Sequence, residues 1–221
     1  MIPAPANAEF VCCMENVLEL YHQPYDTRYP LVCFDESSKQ LIAETKTPLP
    51  MKPGEVRRYD YEYERHGVCN LFLFFEPLRA WRHIEVTEQR TKVDFARCMQ
   101  DLVDKWYPEA AKIRVVLDNL NTHKPASLYE AFPPAEARRL LERLEFHYTP
   151  KHGSWLNMAE IEFGILVRQC LDRRIPEEEM LRNAVAAWET HRNARETTVN
   201  WQFTTADARI KLKKLYPSLD A

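Results

Sequence analysis

The succession of strand-like and helical segments constrains the fold of this chain more than any other feature of its sequence. Strand-like runs at residues 31–44, 68–77 and 80–89 follow one another without a helical pattern between them. Two further runs, at residues 111–118 and 145–150, each follow a helical segment. Short connections pair strands antiparallel, whereas a strand–helix–strand crossover makes its two strands parallel. The order therefore predicts an α/β fold with a five-stranded mixed sheet flanked by helices.

The helical patterns support that arrangement, since apolar residues recur every three or four positions in the longer ones. They cover residues 7–22, 92–107, 128–132, 134–144, 157–171, 177–195 and 205–217. Residues 46–55 are rich in proline, which predicts a loop, and the tyrosines of residues 57–67 alternate as in a hairpin arm. Among common folds, a meander followed by two crossover strands is typical of the ribonuclease-H-like sheet.

The composition excludes some classes of protein and leaves others open. A net charge of -3 lacks the strong basic excess of a stand-alone nucleic-acid binder, although an enzyme can use a local basic patch. The longest apolar stretch, residues 71–75, is too short to cross a membrane, and the first residues show no signal-peptide pattern. The six cysteines form no CxxC pair, so we expect them to be reduced in a cytoplasmic protein without membrane contact.

In two of the strand-like runs, the apolar, buried-looking part of the strand ends on an aspartate. The segment "LVCFD" ends at Asp35 and "IRVVLD" ends at Asp118, where a polar turn begins. If these strands are parallel neighbours, their carboxylates lie side by side at one edge of the sheet, about 5 Å apart. Adjacent carboxylates repel unless a cation neutralises them, and hard divalent cations prefer oxygen ligands. The plainer alternative is that each aspartate forms a turn or caps a helix.

A third carboxylate lies in the helix-patterned segment "NMAEIEF". At about 100° per residue, Glu160 and Glu162 point to nearly opposite sides of a helix. Glu160 aligns with an apolar row that we expect to face the sheet. That row consists of Leu156, Phe163 and Val167. Because a carboxylate on such a row is costly unless it is paired or binds a metal, Glu160 is the better candidate and Glu162 the surface alternative.

These acidic residues lie in three segments, "FDESSK", "VLDNLNTHKP" and "TPKHGSWLNMAEIEF", which resemble the catalytic blocks of DDE transposases in the mariner superfamily. Within that superfamily, the resemblance is to the bacterial insertion sequence 630 family. It covers nearly the whole chain, from about residue 6 to residue 217. The chain departs from these relatives at Met158, where many of them have proline, and in a longer spacer between Asp118 and Glu160.

The resemblance implies metal-dependent chemistry on DNA, with Asp35, Asp118 and Glu160 as both catalytic residues and metal ligands. Two Mg²⁺ or Mn²⁺ ions, roughly 3.5–4 Å apart, would be held with Asp35 bridging them. The attacking group would be water when a transposon end is nicked and the freed 3′-hydroxyl during strand transfer. The implied partners are the inverted-repeat ends, the target DNA and a second copy of the chain in a homodimeric synaptic complex.

Basic and aromatic side chains near these segments are candidates for contacting DNA. Phosphate groups attract basic side chains, and exposed aromatic rings stack on bases. We predict such contacts for Lys124, His123, Lys151, His152, Trp155, Arg173 and Arg174. The alternative is structural: Lys124 and His123 would position the loop after Asp118, and the other residues would lie at solvated helix ends or in the core.

The sequence divides into three predicted parts. They are an N-terminal helix and linker (1–24), a ribonuclease-H-like DDE catalytic domain (25–175) and a C-terminal helical extension packed on that core (176–221). The relatives named above have helix-turn-helix domains before the catalytic core, so we expect a catalytic domain without its DNA reader, from a truncated or split reading frame. Two other functions stay open: a ribonuclease-H-like nuclease that cuts without joining, and a non-transposing remnant that only binds or dimerises.

Overall fold

The fold is that of a computed structural model, which describes residues 7–46, 53–54 and 61–217. Its helices are α1 (Ala8–Tyr21), α2 (Lys92–Asp101), α3 (Ala126–Ala131), α4 (Pro134–Arg143), α5 (Met158–Leu166), α6 (Glu178–Ala194) and α7 (Thr205–Lys211). Its strands are β1 (Leu31–Glu44), β2 (Tyr63–Glu76), β3 (Trp81–Thr87), β4 (Ile113–Leu117) and β5 (Leu144–Tyr148). Most of the loop predicted at 46–55 and the first part of the arm predicted at 57–67 lie outside the described residues.

The five strands form one sheet in the order β3-β2-β1-β4-β5. β1 pairs antiparallel with β2, and β2 pairs antiparallel with β3 after a short turn. β1 pairs parallel with β4, and β4 pairs parallel with β5. The crossover from β4 to β5 passes through α3 and α4, as parallel pairing requires. The predicted five-stranded mixed sheet is therefore confirmed.

Side chains alternate along the strands, so the sheet has an apolar core on each face. On one face, Leu31 and Cys33 pack in a core that includes residues of α1, α5, α6 and α7. On the other face, Val32 and Phe34 pack in a core that includes residues of α2, α3 and α4. Because both faces are covered, the central strands are apolar in consecutive positions, as in residues 71–75 of β2.

The terminal helices share this core with the sheet. The Tyr21 hydroxyl of α1 donates a 2.6 Å hydrogen bond to the Leu156 carbonyl, and the ring of Tyr21 packs on Trp201 with 5.2 Å between centroids. Trp188 of α6 and Ala208 of α7 are buried in the same cluster. The division at residues 24 and 175 stays a prediction. Among the described helices, none is long and apolar enough to cross a membrane.

A buried cluster of charges joins α5 to β3 and α6. Glu162 of α5 accepts a 2.7 Å bond from Arg82 Nε of β3 and bonds of 3.1 and 3.3 Å from Arg192 of α6. The Arg82 guanidinium also donates to the carbonyls of Ala80 (2.7 Å) and Thr197 (2.9 Å). Glu162 and Arg82 are at most 1% exposed, so the charges depend on one another for compensation.

We predict that Glu162→Gln destabilises the protein by about 3–5 kcal/mol, because two buried guanidinium groups then lose their common carboxylate. The measurement is urea unfolding followed by circular dichroism. The matched control is Glu142→Gln, which removes an exposed pair with Arg138 and should cost less than about 0.5 kcal/mol. Equal unfolding midpoints for the two variants would show that the cluster does not hold the helices together.

Candidate active site

The register of β1 and β4 sets the positions of the two aspartates. The last pair in their parallel ladder is Cys33 with Val116, and Asp35 and Asp118 each lie two residues beyond it. The two aspartates therefore reach the same level of the sheet. Because side chains alternate, Asp35 is directed to the face of Cys33, the face that α5 covers. The prediction that the strand ends at Asp35 is wrong, since β1 continues in its pairing with β2.

The start of α5 brings the third acid to the same edge. Asn157 is the N-cap of this helix, and its side-chain oxygen accepts a 3.1 Å bond from the amide of Ala159. Its side-chain amide donates a 2.9 Å bond to the carbonyl of Phe34. Phe34 directly precedes Asp35, so this one side chain attaches the first turn of α5 to the strand beside the aspartate. Glu160 lies in that first turn.

The faces predicted for the two glutamates are wrong. Glu160 is exposed, whereas Glu162, the predicted surface alternative, is 1% exposed. The prediction assumed a single α-helical period from Leu156 to Val167. Leu156 belongs to a 3₁₀ turn and Val167 to a π turn, so neither keeps the phase of the α-helix between them. The buried face of α5 consists of Met158, Ala159, Glu162, Phe163 and Leu166.

Glu160 nevertheless stays the candidate third acid, for a different reason. The charge of Glu162 is already balanced by Arg82 and Arg192 in the core. Within the described part of the chain, the Glu160 side chain has no ion-pair partner, and it faces solvent next to Asp35. Its carboxylate is therefore open to an external cation, whereas that of Glu162 is not.

Electrostatics link the three acids. Burial, followed by the negative charges of Asp118 and Glu160, raises the pKa of Asp35 to about 7. The backbone amide of Glu36, which donates a 2.8 Å bond to Asp35 Oδ1, and the charge of His123 oppose that rise. A carboxyl group whose neighbours include two other acids is stabilised in its charged form by a bound cation. The geometry thus gathers negative charge at one edge of the sheet.

His123 is fully buried, and the prediction that it contacts DNA is wrong for this reason. Its Nδ1 lies 2.5 Å from Asp118 Oδ1 and its Nε2 lies 3.2 Å from Glu36 Oε2. Burial by itself would lower the pKa of His123, but the hydrogen bonds and charges of Asp118 and Glu36 outweigh burial and raise it to about 9. The hydrogen bond between His123 and Asp118 fixes the orientation of that carboxylate, which fits the loop-positioning alternative.

Glu36 was missed as a residue of this site. Its side chain is 5% exposed, pairs with His123, and lies 3.4 Å from Arg90. The available signal was the alternation along β1, which directs Glu36 to the face opposite that of Asp35 at the same level. One strand thus supplies an acid to each side of the sheet edge.

The structure separates the remaining candidates for DNA contact into two groups. Lys151, His152 and Trp155 are exposed just before α5, on the side of the acidic residues. Lys124 binds the Asn119 side chain and lies 4.8 Å from the centre of the Tyr148 ring, close to Asp118. These contacts leave DNA binding by all four residues as a prediction.

Arg174 lies at the opposite end of β1, whereas the Arg173 carbonyl accepts a 3.1 Å bond from Lys39 in the middle of that strand. Arg174 donates to Glu44, the last residue of that strand, and to the carbonyl of Glu62 (2.9 Å). Glu44 lies nine positions beyond Asp35 along the strand, a length of about 30 Å. Arg174 therefore lies apart from the acidic edge, and contact of either arginine with DNA stays a prediction.

The donor set at the acidic edge suits a hard divalent cation, since it offers three carboxylates and no thiolate. Within residues 7–46, 53–54 and 61–217, no three His, Cys, Asp or Glu side chains already converge closely enough to hold one ion. The 2.5 Å contact of His123 also engages one oxygen of Asp118. Metal binding thus requires side-chain rotation, for which the exposed Glu160 has room.

Comparison with known proteins places this geometry in a family. Residues 30–182, which include the three acids, match the family model of the DDE superfamily endonucleases. The chain belongs to the DDE endonuclease superfamily. A search of curated proteins gave no match for this DDE endonuclease.

Solved structures give the same fold. The DDE endonuclease is similar to the Mos1 transposase paired-end complex with left transposon end (TM-score 0.61, 13% identity, 97% of this chain and 64% of that one). It is also similar to the Mos1 strand transfer complex (0.60, 11%, 97% and 63%) and the mariner Mos1 paired-end complex with Mg (0.59, 14%, 99% and 66%). The ribonuclease-H-like sheet is thereby confirmed. The DDE endonuclease spans less than two thirds of the length of these transposase chains.

We predict that Asp35→Asn stabilises the metal-free protein by about 2–4 kcal/mol at about pH 8, because the charge of a buried carboxylate is removed. The folded pKa of Asp35, about 7, lies above its ordinary value of 3.8. The stability that protonation supplies is therefore complete below about pH 4 and is lost as the pH rises through 7. The advantage of the variant should shrink as the pH falls, as measured by thermal unfolding at several pH values.

Mn²⁺ should raise the melting temperature of the wild type and of Asp172→Asn, an exposed control, but not that of Asp35→Asn. If Mn²⁺ stabilised all three proteins equally, Asp35 would not be a metal ligand.

We predict that His123→Gln loses about 2–3 kcal/mol of stability at about pH 6 and little at about pH 10. The folded pKa of His123 is raised to about 9, so its stabilising charge is complete below its ordinary value of 6.5 and is lost as the pH rises through 9. Urea unfolding of both proteins across this range measures the difference. A difference that is independent of pH would mean that His123 acts by packing alone.

Proposed function

We propose that this DDE endonuclease is the catalytic domain of a transposase that cleaves DNA at the ends of an insertion sequence and joins the freed ends to target DNA. The observation that supports it most directly is the position of Asp35, Asp118 and Glu160 at one edge of the sheet, where burial and then the charges of Asp118 and Glu160 raise the pKa of Asp35. The fold shared with Mos1 transposase complexes agrees with it.

Asp35, Asp118 and Glu160 would hold two Mg²⁺ or Mn²⁺ ions. Bound ions would activate the attacking oxygen and stabilise the leaving oxygen of the scissile phosphate. The chain itself positions the three acids: His123 orients Asp118, and Asn157 attaches the first turn of α5 to β1. Because water or a 3′-hydroxyl makes the attack, the proposal requires no nucleophilic side chain.

Recognition of specific DNA ends is a separate part of the proposal. The chain spans less than two thirds of the Mos1 chains, which were solved as a paired-end complex and a strand transfer complex. We infer that this chain supplies catalysis and general phosphate contacts through Lys124, Lys151 and His152, and that a helix-turn-helix reader supplies end recognition. Pairing of two copies on DNA belongs to the same proposal.

The two alternative functions lead to different expected activities. A ribonuclease-H-like nuclease would cut the backbone but would not join a 3′-hydroxyl to a second DNA. A remnant that only binds or dimerises would need no metal. The burial of Asp35 beside two other acids favours a catalytic site over a remnant, because such a carboxylate costs stability without a bound cation.

The test is an assay of plasmid nicking and of joining of an oligonucleotide with a free 3′-hydroxyl, each with Mn²⁺. We expect the wild type to do both, and Asp35→Asn and Glu160→Gln to reduce both by roughly a thousandfold or more. Glu142→Gln, at an exposed ion pair, is the control and should be unaffected.

Nicking without joining would identify a nuclease. Absence of both nicking and Mn²⁺ binding would identify a remnant. Retained activity in Glu160→Gln would remove Glu160 from the site.

A further inference from the structure

Trp155 presents an aromatic surface next to the candidate active site. It lies in the 3₁₀ turn Ser154–Leu156 and is 42% exposed. The turn is tightly folded, since His152 has a φ of 65° and a Cβ atom on Gly153 would lie 2.5 Å from the Pro150 side chain. The indole is therefore held at the surface by a constrained backbone.

A second aromatic ring and a cation continue this surface. The rings of Trp155 and Phe203 meet edge to face, with 5.9 Å between centroids. The Lys211 ammonium lies 5.4 Å from the centre of the Phe203 ring and 3.2 Å from Asp207. The Phe203 carbonyl accepts a 2.9 Å bond from the Trp201 indole, which fixes the segment that precedes α7. We call Trp155, Phe203 and Lys211 the aromatic platform.

The charge around the platform favours a polyanion. Lys151 and His152 are exposed beside Trp155, and their side chains have no hydrogen-bond or ion-pair partner within the described part of the chain. Lys211 adds a third basic group on the other side. An exposed indole with basic neighbours can bind an unpaired base together with its phosphates.

The position of the platform connects it to the acidic edge. Trp155 lies two residues before Asn157, whose side chain bonds the carbonyl of Phe34. Phe34 precedes Asp35, and Glu160 follows in the same helix. The indole therefore lies just before the helix turn that carries Glu160 and that is attached to the strand of Asp35.

We propose that the aromatic platform stacks an unpaired base of the DNA strand that carries the scissile phosphate. This inference rests on the proposed function, because it takes the acidic edge as the place of cleavage. Stacking on an indole is tolerant of sequence, since every base has a π-face. The platform would thus hold an unpaired end in place without reading its sequence. The competing occupant is a second copy of the chain, for which the exposed Ile210 beside Lys211 offers an apolar contact.

The test measures binding in EDTA, so that it is independent of cleavage. Two labelled oligonucleotides of equal length are compared by fluorescence anisotropy: a blunt duplex and a duplex with a single-stranded overhang. We expect the wild type to prefer the overhang. Trp155→Ala should weaken overhang binding by roughly fivefold to a hundredfold and leave blunt-duplex binding unchanged. Trp155→Phe should retain most of the preference, and Lys151→Ala should weaken both duplexes alike.

The matched control is Tyr129→Ala, which removes an aromatic side chain of similar exposure (47%) from α3. Thermal unfolding of each variant checks that the fold is intact. An unchanged preference in Trp155→Ala, or an absent preference in the wild type, would overturn the proposal. So would a Trp155→Ala protein that changes only its oligomeric state in sedimentation, which would assign the platform to a second copy. Loss of metal-dependent nicking with the overhang preference intact would instead refute the proposed function alone.

Discussion

The parallel pairing of β1 with β4 is the constraint on which the rest of the site depends. It joins segments distant in the sequence, and its last pair, Cys33 with Val116, sets Asp35 and Asp118 at one level. Closing so long a loop costs entropy, which is offset by apolar burial on both faces of the central strands. The apolar cores thus stabilise a fold in which like charges lie together at the sheet edge. Burial and then these charges raise the pKa of Asp35, which shows that its charged form is destabilised.

Cationic groups are distributed unevenly around these acids. His123 approaches Asp118 from the α2 and α3 face, where its ring lies 5.3 Å from that of Phe34. On the α5 face, Arg82 and Arg192 neutralise Glu162 alone. Asp35 and Glu160 are therefore left with excess negative charge at the edge of the sheet. This arrangement favours binding of an external cation beside Asp35 and Glu160. The compensated charges of Glu162, Arg82 and Arg192 hold the neighbouring helices and strand in place.

The sequence was sufficient for the sheet, because apolar runs such as residues 113–117 and the order of the elements are local signals. It was also sufficient for the pair of aspartates, which follow from parallel strands. It failed for the phase of α5, since the 3₁₀ and π turns at its ends interrupt the 3.6-residue period. The burial of His123 and Glu162 was not predicted from the sequence. Their partners Glu36 and Arg82 lie in other segments, and a periodic pattern carries no information about such contacts.

The contact of Arg82 with the C-terminal part of the chain has a consequence for where this unit can be cut. The family match ends at residue 182, yet two partners of the Arg82–Glu162 pair, Arg192 and the carbonyl of Thr197, come later. Cutting the chain at the limit of the family match would leave Arg82 and Glu162 in an apolar interior with most of their side-chain hydrogen bonds missing. The helix that carries Glu160 therefore relies on side-chain contacts from residues that lie beyond the limit of the family match.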